Sequence, residues 1–555
     1  MDLPMLLSRR AFTGSALSAA VALQLPASAR AQHAASVAAA ITAIGAYAEA
    51  HRRTLGLPGM TIGLSFPGGR SEVLNVGVAD LASQVPIGNR TLFQIGSISK
   101  MMNAALLQQL AAEGRFSFGD RISNLLPNIA LPAGNIITVQ HLLDHVAGLA
   151  SDPPLDPPGG LWTAYAPGDH WHYSNTGYAI LGKLAEKIGG KPLAELLATR
   201  LFGPLGMAET LGAIVDSDRG RFAVGYEPAD HGPFVPGIPL EPATWVEATL
   251  ADGNVASTAS DMNRFMRSLA DAVQGRGGLG LPPALARAFV THGVPSDTPG
   301  MNYGNGVMHV ANGGRSYLHH TGGMVSFSSS LHVDVASGVG AFASANIGYL
   351  AEYRPRLVTL FAVDALTAAL AGKPLPQPPP PALQLTHAAA YSGRFNGPAG
   401  SFDVRFGPTL TIIANGRSAP LLPAGGDIFR TGHPAFRAFS LMFERRGGII
   451  GGASWGPLSY VRAGTSAPIP PSNPDLAKLA GRYSNPSPWF GTHDIVERSG
   501  RLWIGTELPL FPAGPNLWRV GAESWTPERA AFADFRDGRP QTFIWSGEKF
   551  ARRDV

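Results

Sequence analysis

The chain has no cysteine. Disulfides, thiolate metal centres and a cysteine nucleophile are thereby excluded, while an oxidising destination stays open. Charge is sparse as well: Lys, Arg, Asp and Glu make up 15% of 555 residues, and the formal net charge is +4. Arg9, Arg10 and Arg30 against Asp2 carry +2 of that, so the remainder carries +2 and holds no clustered Lys/Arg stripe. A nucleic-acid partner is not expected, because neutralising a phosphate backbone needs such a stripe. Long apolar runs are also missing. The mild run at about 16–25 falls short of the roughly 20 residues that cross a bilayer, so no stable membrane insertion is expected after processing. What is present is an ordinary globular composition, 45% hydrophobic, over a length that suits several domains.

The N-terminus reads as an export signal. Ser8-Arg9-Arg10-Ala11-Phe12 precedes the apolar run, and Ala29-Arg30-Ala31 follows it. A positive region, a short apolar region and an Ala-x-Ala site describe a cleavable signal over 1–31. The paired arginines resemble a twin-arginine signal, which implies a periplasmic or secreted protein.

Two proline-rich stretches divide the rest. Residues 373–384 have the composition of a semi-rigid linker, and 464–473 form a second break. The segments 385–463 and 474–555 repeat one another at an offset of about 88–90 residues. Tyr391-Ser392-Gly393-Arg394-Phe395 matches Leu479-Ala480-Gly481-Arg482-Tyr483, Leu422-Pro423-Ala424-Gly425 matches Phe511-Pro512-Ala513-Gly514, and Trp455 and Tyr460 match Trp545 and Phe550. Short alternating apolar runs between Gly, Asn and Pro predict a small antiparallel barrel in each copy. The preceding unit, 32–372, reads as α/β. A helix is expected at 34–54, strands at 60–66, 72–78, 302–311 and 327–345, and helices at 97–113, 177–189 and 259–273. Strands at both ends of the unit imply a sheet shared by its first and last parts, with a largely helical insertion between.

Three short motifs carry the chemistry. Gly96-Ser97-Ile98-Ser99-Lys100 lies where a strand-like run gives way to a strong helix. Residues three apart share a helix face, so Lys100 stands beside Ser97. A serine hydroxyl attacks only when a neighbour takes its proton, and a desolvated lysine can take it. The helix N-terminus adds free N–H groups for a developing oxyanion. Tyr173-Ser174-Asn175 supplies a phenol to relay a proton and an amide to orient a substrate amide. His320-Thr321-Gly322-Gly323 precedes an apolar run, and its small residues suit an extended substrate paired along a strand edge.

Ser-x-x-Lys, Tyr-x-Asn about 75 residues on and His-Thr-Gly about 150 further resemble the motifs of the penicillin-recognising serine hydrolases. That family includes the class C β-lactamases, DD-peptidases, D-aminopeptidases and related esterases. The stretches 137–145, Gly148-Leu149, Pro167-Gly168 and 257–262 resemble the family too, over about 40–370. The resemblance implies an α/β sandwich beside an all-α lobe, with the site between them. It implies Ser97 as nucleophile, Lys100 as base and Tyr173 as acid/base. Asn175, His320, Thr321, Gly322 and Gly323 become substrate and oxyanion residues, the hole being formed by the N–H groups of Ser97 and Gly323. No metal or other cofactor is implied. In β-lactamases the third motif begins with lysine; His320 in its place is mostly neutral at pH 7 unless a neighbour raises its pKa. His-x-Gly resembles instead some DD-peptidases, D-aminopeptidases and esterases. D-aminopeptidases also carry two C-terminal barrels, and the likeness implies a loop of the second barrel at the cleft.

The expected substrate is a small peptide, amide or ester, foremost a D-amino-acid-containing peptide. Alternatives are an esterase or weak β-lactamase on the same site, and a penicillin- or peptidoglycan-binding receptor with slow deacylation. Oligomeric state is left open. Two other patterns are set aside. Gly452-Ala453-Ser454-Trp455-Gly456 fits a nucleophile elbow but is followed by a strand-like run rather than a helix. His141 and His145 are four apart like zinc ligands but lack the glutamate of a metalloprotease helix.

Overall fold

The computed structural model describes residues 27–553 except 133–135, 231, 233, 349–352, 382–384, 386 and 466–470. The expected export signal lies outside the described residues apart from 27–31, which begin helix α1 (Ala27–Leu55).

An eight-stranded antiparallel sheet forms the first unit. Its strands are β1 (Gly59–Ser65), β2 (Ser71–Gly77), β3 (Val294–Pro295), β4 (Asn302–Gly304), β5 (Val307–Asn312), β6 (Arg315–Met324), β7 (Phe327–Asp334) and β8 (Gly340–Ala345). They lie in the order β2-β1-β8-β7-β6-β5-β4-β3, so β1 pairs with β8 and the two ends of the unit close one sheet, as the sequence implies. β1 is buried along its whole length. Its alternate residues Met60, Ile62 and Leu64 join Ala341, Ala343 and Ala345 of β8 in a core beneath α1 and α7 (Arg356–Leu370). On the other face Gly63 meets α5 (Ala259–Val273), where a Cβ would stand 2.6 Å from Asn263 Oδ1; only glycine admits so close a helix. Strand periodicity of two thus buries both faces, each under its own helices.

The second lobe holds α2 (Ser99–Ala112), α3 (Val139–Leu143) and α4 (Asn175–Gly189), with α6 (Pro283–Thr291) beside α5. Residues 99–107 of α2 are all buried, the mark of a central helix rather than a surface one. Three helix starts differ from the expected ones, α1 beginning at Ala27 rather than at 34. The sequence places Ser97 within a helix, but it sits on a 3₁₀ turn, Gly96–Ile98, ahead of α2. The helix expected at 177 begins at Asn175, because Ser174 caps it by accepting the Gly177 N–H at 3.1 Å.

The repeats form two barrels. The first is a nine-stranded antiparallel sheet whose edges, Arg417–Pro420 and Leu422–Gly425, are consecutive in the chain, so it is nearly closed. The second has eight strands and closes, Tyr483 of the first strand pairing with Arg552 of the last. Trp455 and Trp545 end equivalent strands, as the repeat predicts. Ser454 is buried within a strand of the first barrel and donates to Glu444, with no helix after it.

Candidate active site

The first residues of α2 and α4 meet the end of β6 at the junction of sheet and helical lobe. Gly96 is left-handed (φ 54°), which turns the chain sharply from the short strand Phe93–Gln94 into the 3₁₀ turn. A Cβ on Gly96 would lie 2.6 Å from the Gly323 nitrogen, and one on Gly322 would lie 1.8 Å from the Ile95 carbonyl oxygen. Side chains are absent from all three positions, so the backbones of the Ser97 turn and of β6 run against each other. This is the approach that an oxyanion hole shared by Ser97 and Gly323 requires.

Lys100 is fully buried at the start of α2. Its Nζ donates to Ser97 Oγ at 3.0 Å, Asn175 Oδ1 at 2.7 Å and the Asp252 carbonyl at 2.8 Å. Three acceptors match the three donors of an ammonium. Burial pushes its pKa down to about 8, against the opposing pull of the Asp252 and Asp152 charges. Lys100 Nζ also lies 4.8 Å from the centroid of the Tyr173 ring. Burial raises the Tyr173 pKa, a rise that its hydrogen bond with Ser97 only partly offsets, so the phenol stays protonated.

His145 packs against Tyr173 with ring centroids 4.2 Å apart and planes tilted by 40°, and it accepts the Ser174 N–H on Nδ1 at 3.1 Å. Burial drives its pKa far below the usual histidine range, with Lys100 adding to the fall, so the ring is neutral. His141 does something different: its Nδ1 accepts the Thr138 N–H in a capping box at the start of α3. The two histidines therefore support separate pieces of backbone.

Of the third motif, Thr321 and Gly323 reach the surface while His320 and Gly322 are buried, following the alternation of β6. His320 is 1% exposed. Its Nδ1 lies 2.6 Å from the Thr321 carbonyl, which only accepts, so that nitrogen carries the proton and Nε2 accepts from the Tyr303 hydroxyl at 3.2 Å. Burial pushes its pKa down to about 3, and the ring is neutral. His320 thus stands behind Tyr173, with ring centroids 6.4 Å apart, rather than on the cleft surface.

The motifs did not reveal two carboxylates beside them. Asp152 Oδ1 accepts from Asn175 Nδ2 at 2.7 Å. Burial raises its pKa to about 6, with the charges of Asp252 and Glu528 adding to the rise and the Asn175 hydrogen bond opposing it. Asp252 is raised by burial and lowered by Lys100. Both are half-buried and flank the Lys100–Asn175 contact, so this end of the cleft is acidic.

A model of the beta-lactamase family matches residues 35–363, more than half of the chain. The chain belongs to the beta-lactamase family. Ser97, Lys100 and Tyr173 lie within the matched segment. Among curated proteins it is 27% identical over 179 residues to a beta-lactamase of Providencia stuartii, covering 31% of this chain and 46% of that one. It is 28% identical over 235 residues to penicillin-binding protein 4 of Amycolatopsis lactamdurans, covering 38% and 59%. The chain spans about half the length of the curated relatives it matches. Its fold is similar to that of the octameric penicillin-binding protein homologue from Pyrococcus abyssi, with TM-score 0.55 at 21% identity over 76% of this chain and 100% of that one.

The second barrel approaches this beta-lactamase-family unit at several points. Trp489 packs on the cluster that holds Phe93, Met324 and Phe327. A Cβ on Gly547 would lie 3.2 Å from Pro154. Glu528 bonds to the loop that leads into Asp152.

Proposed function

We propose that this hydrolase forms an acyl-enzyme on Ser97, with Lys100 as the base and Tyr173 as the proton relay. The observation that carries the reading is the Lys100 amine, 3.0 Å from Ser97 Oγ inside a buried site. The pKa directions divide the roles. A lysine at about 8 loses its proton near neutrality, whereas a tyrosine raised above its usual value does not ionise there. Lys100 therefore takes the Ser97 proton as Oγ attacks the carbonyl carbon. Tyr173 hands a proton to the leaving group and recovers one from Lys100. Water then attacks the ester, the same groups run in reverse, and the acid product leaves Ser97 restored. The Ser97 and Gly323 N–H groups hold the oxyanion, and Asn175 orients the substrate amide.

The substrate class we infer is an amide or short peptide with a free amino group, of D configuration as the sequence resemblance implies. Two features support it. His320 is neutral and buried, so it offers no permanent charge to a substrate carboxylate, and Asp152 with Asp252 suits an ammonium at the other end. A panel of D-alanine anilide, a D-Ala-D-Ala peptide, a chromogenic cephalosporin and short esters, read by turnover and intact mass, tests this. Fastest turnover is expected on the anilide. Preference for esters would replace the substrate assignment, and a stable acyl-enzyme with negligible turnover would favour a receptor.

The pH dependence has a definite sign. Serine labelling by a fluorophosphonate is expected to rise with pH through about 8 as Lys100 loses its proton. Asp152 stabilises the charged lysine, so Asp152→Asn is expected to move this limb to lower pH. An unmoved limb, or one moved upward, would contradict Lys100 as the base.

Export by the twin-arginine route to the periplasm is proposed from residues 8–31. Division into a hydrolase unit and two barrels at 373–384 and 464–473 is proposed from composition and from the separate cores of the three sheets. Among the described residues no helix is long and apolar enough to cross a membrane.

A further inference from the structure

A polar contact between the second barrel and the hydrolase unit lies next to the proposed catalytic residues. Glu528 precedes the strand Arg529–Arg536 of that barrel, and its side chain is 13% exposed. Oε1 accepts the Ser151 N–H at 2.7 Å and His172 Nε2 at 3.0 Å, while Oε2 accepts from the Ser546 hydroxyl. Burial alone would raise its pKa, but the bonds from His172, Ser546 and Ser151 outweigh that, and the carboxyl is held ionised.

Ser151 passes the contact on. Its carbonyl accepts the N–H groups of Asn175 at 2.8 Å and Thr176 at 3.1 Å, and its hydroxyl donates to the Tyr173 carbonyl at 3.1 Å. Asp152, the next residue, bonds to the Asn175 amide. One backbone position of the loop thus touches both ends of Tyr173-Ser174-Asn175, and its own N–H is tied to the barrel. Neighbouring contacts hold the barrel loop in place: Trp162 Nε1 donates to the Pro527 carbonyl at 2.8 Å, and Trp525 stacks on His170 at 4.6 Å.

We propose that Glu528 of the second barrel is a positioning residue for the hydrolase site, acting through Ser151 to hold Tyr173 and Asn175 over Ser97. The barrel is then part of the machinery rather than an appended module. This inference rests on Ser97 being the nucleophile. It depends on reach: the carboxylate must extend to the Ser151 N–H, and a shift of about 1 Å in a positioning group costs up to roughly a hundredfold in rate.

Three variants of the full chain test it, by fluorophosphonate labelling of Ser97 followed as intact mass and by thermal melting. Glu528→Gln keeps an oxygen at the same reach and is expected to label within about threefold of the parent. Glu528→Asp keeps the charge but is one methylene short, and it is expected to label at least about tenfold more slowly, as is Glu528→Ala. General loss of stability would not produce that order. Labelling of Glu528→Asp at the parent rate, or of Glu528→Gln as slowly as Glu528→Asp, overturns the proposal. If Glu528→Ala fails to fold, the Gln and Asp pair still decides. The brace is read separately by amide hydrogen exchange at Asn175 and Thr176, which is expected to quicken in Glu528→Asp. Unchanged exchange there also overturns it. A parent chain that does not label at all, with exchange behaving as expected, removes the Ser97 reading and leaves the brace as a structural contact only.

Discussion

Ser97→Ala is expected to abolish turnover and fluorophosphonate labelling, with a fall in kcat of about 10⁴-fold or more. Only the hydroxyl group is removed. Ser99, two residues on, is buried and accepts the Val255 N–H at 3.0 Å, which makes it part of the lobe's framework. Ser454, the serine of the elbow-like motif, is sealed in the first barrel. Folding should be unaffected, since Ser97 is half-exposed on a short turn whose shape comes from Gly96 and its packing against Gly323. Full labelling of the alanine variant, located by peptide mass, would place the nucleophile elsewhere.

Lys100→Met separates chemistry from stability. Methionine nearly matches the volume of the lysine side chain but carries neither charge nor proton acceptor. The variant leaves Asn175 Oδ1 and the Asp252 carbonyl without their donor, each a loss of about 1–3 kcal/mol if no water replaces it. Against that, it removes the cost of burying an ammonium, several kcal/mol by general experience. The two nearly cancel, so the melting temperature should change by only a few degrees. Activity should not survive: losing the base is expected to lower kcat by about 10³-fold or more and to erase the limb near pH 8. A large loss of stability with the limb intact would make Lys100 a structural residue and remove it from the base role.

The site was legible where chemistry demands a fixed residue type at a fixed offset. Ser97 and Lys100 are neighbours because a helical turn makes them so, and Ser174 announces the start of α4 as a cap. Gly322 and Gly323 reflect a contact between two backbones that no side chain fits. Asp152, Asp252 and Glu528 were not legible. An aspartate before Pro153-Pro154 reads as a loop residue, and a glutamate 377 positions from its partner Ser151 has no local pattern at all. The burial of His320 was not legible either, since the direction of its side chain follows from the register of β6 against β7 and β5.

The repeat shows the same division. The offset of about 88–90 residues identifies two related units from the chain alone, because aromatic residues recur where a barrel core needs them. The sequence does not say that the first stays open between Arg417–Pro420 and Leu422–Gly425 while the second closes. That the second barrel meets the unit carrying Ser97 was implied only by the likeness to D-aminopeptidases, not by any residue pattern.

By itself, then, the sequence determined the family, the α/β unit and the duplicated barrels, and it supplied the proposed nucleophile with its adjacent lysine. All of these rest on short-range periodicity or on residue types whose chemistry has few substitutes. Tertiary structure alone decided the protonation of Lys100 and His320, the acid end of the cleft and the contact of Glu528 with the Tyr173 loop. Those depend on desolvation and on contacts between distant segments, and neither is encoded in the spacing of neighbouring residues.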